Sequence, residues 1–251
     1  MDRKKIGCRR RPVPWIRHIA AVVLMVLLHV TGAAGPALGA PTQEELDKLV
    51  TSADTVVRRI LDMPDRGIPR DLLRRCKGIA VFPGMFKAGA VVGFSYGNGV
   101  ILRRIHETSS WSKPAFFKIR GGSLGLQLGA QSIDLILLIM SESGLHGLLE
   151  ERFTLGADVA VSAGPVGRKA SAETDVAFLS EILSYSRSKG LFAGISLSGA
   201  SVEPDADANR VYHGANVSVQ DVFYDDAGNM TEASRKMIET LQERFPKKTG
   251  E

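Results

Sequence analysis

The 251-residue chain is poor in cysteine and in aromatic side chains: it holds two cysteines, two tryptophans and 6% aromatic residues overall. Cys8 and Cys76 lie too far from other candidate ligands for a zinc-ribbon spacing, and one pair does not make a disulfide scaffold. A basic surface is missing too, once the charge is located. The formal net charge is +5, yet residues 1–39 hold seven of the 32 Lys and Arg residues and one of the 27 acids, leaving 25 basic against 26 acidic residues in 40–251. That balance of −1 removes the argument for a nucleic-acid partner. The apolar run 19–30 has twelve residues, fewer than the roughly 20 that a membrane-spanning helix needs. No linker rich in Pro, Gly or Ser and no fixed-period repeat divides the chain, so a single domain over 40–251 is the expectation.

What is present is an ordinary globular composition, 44% hydrophobic and 24% charged, able to bury a core. Residues 1–39 have the order of a secretory signal: a basic stretch, an apolar run, then small residues ending in Ala37 and Gly39. Cleavage after Gly39 follows, with an uncleaved anchor as the alternative, and with it an exported protein of the periplasm or an envelope membrane surface. Cys76 is then alone and reads as a small buried side chain.

The mature chain falls into three parts. Residues 40–77 read as a helical lead-in, opened by Thr42 and Glu45 in capping-box spacing. Leu46, Leu49, Val50, Ala53, Val56, Val57, Ile60 and Leu61 then mark one helix face. Pro64 and Gly67 break that helix, and Pro69 starts a short second one carrying Arg70, Arg74 and Arg75. Residues 78–214 hold 19 of the 22 glycines found after residue 39, interleaved with short apolar runs. Strands are expected at 79–82, 115–120, 124–140, 155–163 and 191–200, and a hairpin at 90–96 and 100–105 turning on Gly97-Asn98-Gly99. Helices are expected at about 143–151 and 175–186. Residues 215–251 give a polar turn at 225–229 and a helix over about 231–245 with Met237, Ile238, Leu241 and Phe245 on its apolar face. Repeated strand glycines suggest sharp curvature. The expected fold is α+β: a curved, Gly-rich, largely antiparallel sheet or small barrel with N- and C-terminal helices.

Catalytic motifs are weak. Gly93-Phe94-Ser95-Tyr96-Gly97 fits the nucleophile-elbow pattern, but that motif needs a helix after the turn and a second strand follows here. His146 and Glu150 have the spacing of a metal pair, and two ligands do not make a site. Gly121-Gly122-Ser123-Leu124-Gly125 lacks the Gly-Lys-Ser/Thr ending of a phosphate loop and reads as a tight turn. Asp134, set among apolar residues, calls for a hydrogen bond or ion pair.

Longer blocks carry more information. Gly78-Ile79-Ala80-Val81-Phe82-Pro83, Trp111-Ser112-Lys113-Pro114-Ala115-Phe116, Gly125-Leu126-Gln127-Leu128-Gly129, Ser184-Tyr185-Ser186-Arg187-Ser188-Lys189-Gly190 and Tyr212-His213-Gly214 stand in the order found in the SYLF domain, which the chain resembles over nearly all of residues 70–214. The resemblance implies a non-enzymatic module, without cofactor or metal, that binds membrane lipids at a bacterial cell envelope. Its partners would be anionic phospholipid headgroups, and actin bundling does not carry over to such a setting. Proximity along the chain would join Arg70, Arg74, Arg75, Lys77 and Lys87 to a shallow apolar insertion of Phe82, Met85 and Phe86 on the turn-like segment 82–86, each basic residue contributing about 1 kcal/mol near an anionic surface; the alternative buries Phe82 and Phe86 in the core and leaves the arginines as a solvated face. Two other classes stay open: an envelope structural or protein-interaction module, and a Ser95-dependent lipid or ester hydrolase.

Overall fold

The computed structural model describes residues 39–62, 68–89, 92–105, 110–124, 129–166, 180–188, 191–194, 197 and 199–245. The leader 1–38 and the segments 125–128 and 175–179 lie outside the described residues. Ala40–Glu251 forms one compact unit.

Helix α1 (Gln43–Leu61) begins as its capping box dictates: the Thr42 hydroxyl accepts the Glu45 amide and the Glu45 carboxylate accepts the Thr42 amide. Its apolar stripe, Leu46, Val50, Ala53, Val56, Val57 and Ile60, is buried. Helix α2 (Arg70–Arg75) follows Pro69. The buried Arg104 guanidinium donates to the carbonyls of Leu73 and Arg74 at 2.7 and 3.0 Å, satisfying acceptors that a helix end leaves open.

Among the described residues ten strands follow: β1 (Gly78–Gly89), β2 (Val92–Ile105), β3 (Ser110–Trp111), β4 (Ala115–Leu124), β5 (Gly129–Ile139), β6 (Phe153–Thr154), β7 (Val161–Ala163), β8 (Ile182–Ser188), β9 (Leu191–Gly194) and β10 (Ala200–Pro204). Helix α3 (Glu142–Gly147) precedes β6, and α4 (Ala206–His213), α5 (Val219–Tyr224) and α6 (Glu232–Arg244) close the chain. The strand order is β6-β10-β4-β2-β1-β5-β8-β7, with β3 on β2 and β9 on β8. All described pairings are antiparallel except β7 with β8. The sheet curls strongly into an open half-barrel, so the α+β expectation holds.

Its two faces are packed differently. One face, through Ile79, Val81, Val100, Leu102, Ile136 and Leu138, packs with residues of α1, α2 and α6. The other face, through Phe82, Met85, Ile101, Phe117, Ile119 and Leu135, packs with Leu145, Val222 and Phe223 of α3 and α5.

Several elements depart from expectation. There is no hairpin at 97–99: β2 runs straight through it, and the hairpin joins β1 to β2. Gly97 and Gly99 serve close approach instead of a turn. They face a bulge in β1 between Phe82 and Met85, where Gly84 takes φ +60 and donates its amide to Asp134 at 3.1 Å. A Cβ on Gly99 would collide with the Val81 carbonyl oxygen and the Phe82 ring, and one on Gly97 would crowd Met85. Gly121 and Gly122 lie inside β4 instead of a turn. The 155–163 strand is interrupted: Gly156 takes φ +86, the Asp158 carboxylate accepts the Thr154 amide, and Leu155 and Val159 are buried while Ala157 is exposed. The 191–200 strand divides into β9 and β10. In place of the C-terminal half of the 175–186 helix stands β8. Helices α4 and α5 were not expected; α4 lies at the end of the Gly-rich part 78–214, past the last expected strand.

Candidate functional site

The sequence-predicted lipid contact does not assemble. Arg70, Arg74 and Arg75 are exposed on α2, where Arg74 pairs with Asp71 at 3.4 Å, and Lys77 pairs with Glu142 at 3.2 Å. Phe82 and Met85 are completely buried in the core, so they are not available for insertion; the bulge of β1 between them points both side chains into that core. Phe86 is exposed and Lys87 half-buried on the opposite side of the strand. Eight residues lie between Lys77 and Phe86, roughly 30 Å of extended chain.

A different cluster forms at the hairpin end of the sheet. Strand pairing sets Phe86 opposite Tyr96 and Ala88 opposite Phe94, so all four side chains share one face. Parity along β2 makes it the face that carries Val100 and Leu102 beneath the helices. The helices cover that face at one end and leave it open at the other. Phe86, Phe94 and Tyr96 are 43%, 57% and 41% exposed, three of the five exposed large hydrophobic side chains among the described residues. The Phe86 and Phe94 rings lie 5.8 Å apart. Tyr96 donates its hydroxyl to Asn98 at 2.8 Å, and the Arg120 guanidinium sits 6.0 Å above its ring. Around Phe94 the neighbours are small: Ala88 on β1 and Gly122 on β4, the latter with open space above it.

Phe94 and Tyr96 were not singled out from sequence. Their signal is the alternation Phe94, Tyr96, Asn98 against Ser95, Gly97, Gly99, in which the aromatic set belongs outside because the glycine set is needed against the bulge.

Elsewhere the described residues offer little chemistry. Ser95 is a strand residue whose hydroxyl faces the Gly121 carbonyl at 3.4 Å. His213 is buried and bonded through Nε2 to the Pro114 carbonyl at 2.9 Å. His146 stacks on Tyr224, and no group of three metal-ligating side chains occurs among the described residues. Cys76 is buried, with burial pushing its thiol up to about 12, which leaves it unreactive at neutral pH. Asp134 has the partners its setting requires, the Gly84 amide and Arg187 at 3.7 Å. No described helix is long and apolar enough to cross a membrane.

Residues 120–244 match the family described as Ysc84, Las17-binding protein actin regulator. Protein YSC84 of Saccharomyces cerevisiae is 36% identical over 155 residues, 61% of this chain and 33% of that protein. LAS seventeen-binding protein 3 of the same yeast is 34% identical over 159 residues, covering 62% and 34%. SH3 domain-containing YSC84-like protein 1 of Bos taurus is 27% identical over 185 residues, covering 72% and 54%. The chain thus spans about a third to a half of the length of these relatives. Their names correct the expected partner: they point to proteins, Las17 among them, where anionic membrane lipids were expected.

Proposed function

Because the chain belongs to the Ysc84/SYLF family, we propose that it is a non-catalytic protein-binding module whose contact surface is the uncovered sheet face of Phe86, Phe94 and Tyr96. The family is described as Las17-binding and actin-regulating, and one yeast relative is named as a LAS seventeen-binding protein, which supports binding over catalysis. The observation that carries the reading is the gathering of these three aromatic side chains on one face beyond the helices. Exposed apolar clusters of this kind mark interaction sites. Together they expose on the order of 300 Å², worth about 7 kcal/mol gross if covered, from which ordering and association costs are subtracted. That is an anchor for a modest complex.

The order of parts in residues 1–39 supports export, so the partner belongs to the cell envelope, and residues 40–251 act as the one functional domain. Chemical crosslinking in the producing cells tests the reading. Wild type gives a discrete adduct that the Phe94→Ala/Tyr96→Ala pair loses at unchanged expression; an adduct that survives the double substitution removes the surface. A Ser95-dependent hydrolase is separated by Ser95→Ala: any esterase signal of the purified protein stays unchanged in a binding module and falls by orders of magnitude in a hydrolase.

A further inference from the structure

The ion pairs beside the aromatic face are arranged unevenly. Arg120 pairs with Glu203 at 2.5 Å, with side chains 52% and 16% exposed. Lys118 pairs with Asp205 at 2.9 Å, with side chains 26% and 10% exposed. In both, the carboxylate is the more buried partner: Arg120 is half exposed, and Lys118 a quarter exposed. Asp205 is further committed, because it caps α4 by accepting the Ala208 amide. With five and three donors respectively, the guanidinium and ammonium keep donors for an outside acceptor, and their carboxylate partners are the less accessible members of each pair. Lys118 and Arg120 share the face with the aromatics, since β4 sets Arg120 opposite Tyr96 and Lys118 opposite Asn98. The row Phe86, Tyr96, Arg120 crosses three adjacent strands, about 10 Å.

Size narrows the partner as well. An apolar patch on the order of 300 Å² is well short of the roughly 800 Å² that each side of a stable complex between folded domains buries. It suits two or three side chains of a short extended segment, seated on the low floor that Ala88 and Gly122 leave beside Phe94.

We infer that this face takes an extended acidic peptide segment of another protein, with apolar or proline side chains against Phe86, Phe94 and Tyr96 and carboxylates on Arg120 and Lys118. The inference rests on the protein-binding reading above and adds the chemistry of the partner. Proline-containing segments dock on aromatic surfaces with little further loss of freedom, and carboxylates form paired hydrogen bonds with guanidinium.

Fluorescence anisotropy of the purified protein tests this, using a labelled peptide of about ten residues composed of Glu, Leu and Pro, the same peptide with Lys for every Glu, and phosphatidylglycerol vesicles as a third probe. The acidic peptide binds saturably in the micromolar range, and the Lys peptide binds at least about tenfold more weakly. Phe94→Ala and Arg120→Glu each weaken the acidic peptide by about tenfold or more, while Arg70→Glu, remote on α2, changes nothing. Lys118→Glu supplies a second charge variant should Arg120→Glu fold poorly, and unchanged thermal unfolding confirms that each variant is native. Equal binding of the two peptides, binding indifferent to Phe94→Ala, or Phe94-dependent binding of the vesicles without the peptide overturns the inference. If the Phe94-dependent adduct in cells persists while the acidic peptide fails, only the partner chemistry is wrong; if both vanish, the protein-binding reading falls with it.

Discussion

A single methyl group separates the roles of two glycines in neighbouring strands. At Gly99 it would strike the Val81 carbonyl oxygen and the Phe82 ring, neither of which yields cheaply, one being backbone and the other packed in the core. Gly99→Ala is expected to cost about 2–3 kcal/mol. Gly122→Ala meets open space and should stay within about 0.5 kcal/mol of wild type. Denaturant midpoints measure both, and similar costs at the two positions would contradict the close approach of bulge and strand. His213 gives a pH signature. Burial holds its imidazole below the ordinary 6.5, with Lys113 adding to the effect and the Pro114 carbonyl opposing it, while Nδ1 has no partner among the described residues. The unfolded chain takes up this proton as pH falls below 6.5 and the folded protein does so only at lower pH, so this group's contribution to stability declines from 6.5 downward until the folded-state value is passed. His213→Gln, which retains a donor for Pro114, should flatten that decline in unfolding curves between neutral and mildly acidic pH; an unchanged slope would place the titration elsewhere.

The elements that could be read from sequence were those whose signals are local. The Thr42/Glu45 box and the stripe from Leu46 to Ile60 are complete within one helix, as is the run of Met237, Ile238, Leu241 and Phe245, and both helices stand where they were placed. The bulge of β1 was not legible, because it is defined by its partners: it needs Asp134 on β5 to accept the Gly84 amide and glycines on β2 to let Phe82 turn inward. Without that knowledge Gly97-Asn98-Gly99 looks like a turn, and Phe82-Pro83-Gly84-Met85-Phe86 reads as a turn-like segment whose aromatic rings could be either inserted or buried. Helix α4 was hidden for a related reason: Asp205 caps it, but the segment directly follows β10, in a stretch whose glycine-rich surroundings favoured strands. The consequence is a pair of contrasting substitutions within one hairpin. Phe82→Ala should cost about 3–5 kcal/mol, as for a fully buried aromatic, whereas Phe94→Ala should change the unfolding temperature little and reduce partner binding. A large loss of stability from Phe94→Ala would mean that its ring holds the fold and is not a contact.

At the scale of the whole unit, one face of a curled sheet is divided between structure and contact. Where α1 and α6 lie over it, Val81, Val100 and Leu102 are buried with them; past the helices the alternation of β2 delivers Phe94 and Tyr96 to the surface, and the bulge of β1 brings Phe86 to the same face. The positions that reach solvent are set by strand register and not by composition, which is why a charge-based site on α2 was the natural sequence expectation and an aromatic site on β1 and β2 is the structural one. The most direct measurement is photo-crosslinking in the producing cells, with a photoreactive phenylalanine analogue at position 94 and, as a control, at the exposed Glu239 on α6. A protein-binding sheet face gives one discrete protein adduct from position 94 and none from position 239. No protein adduct from position 94, or the same adducts from both positions, would contradict it.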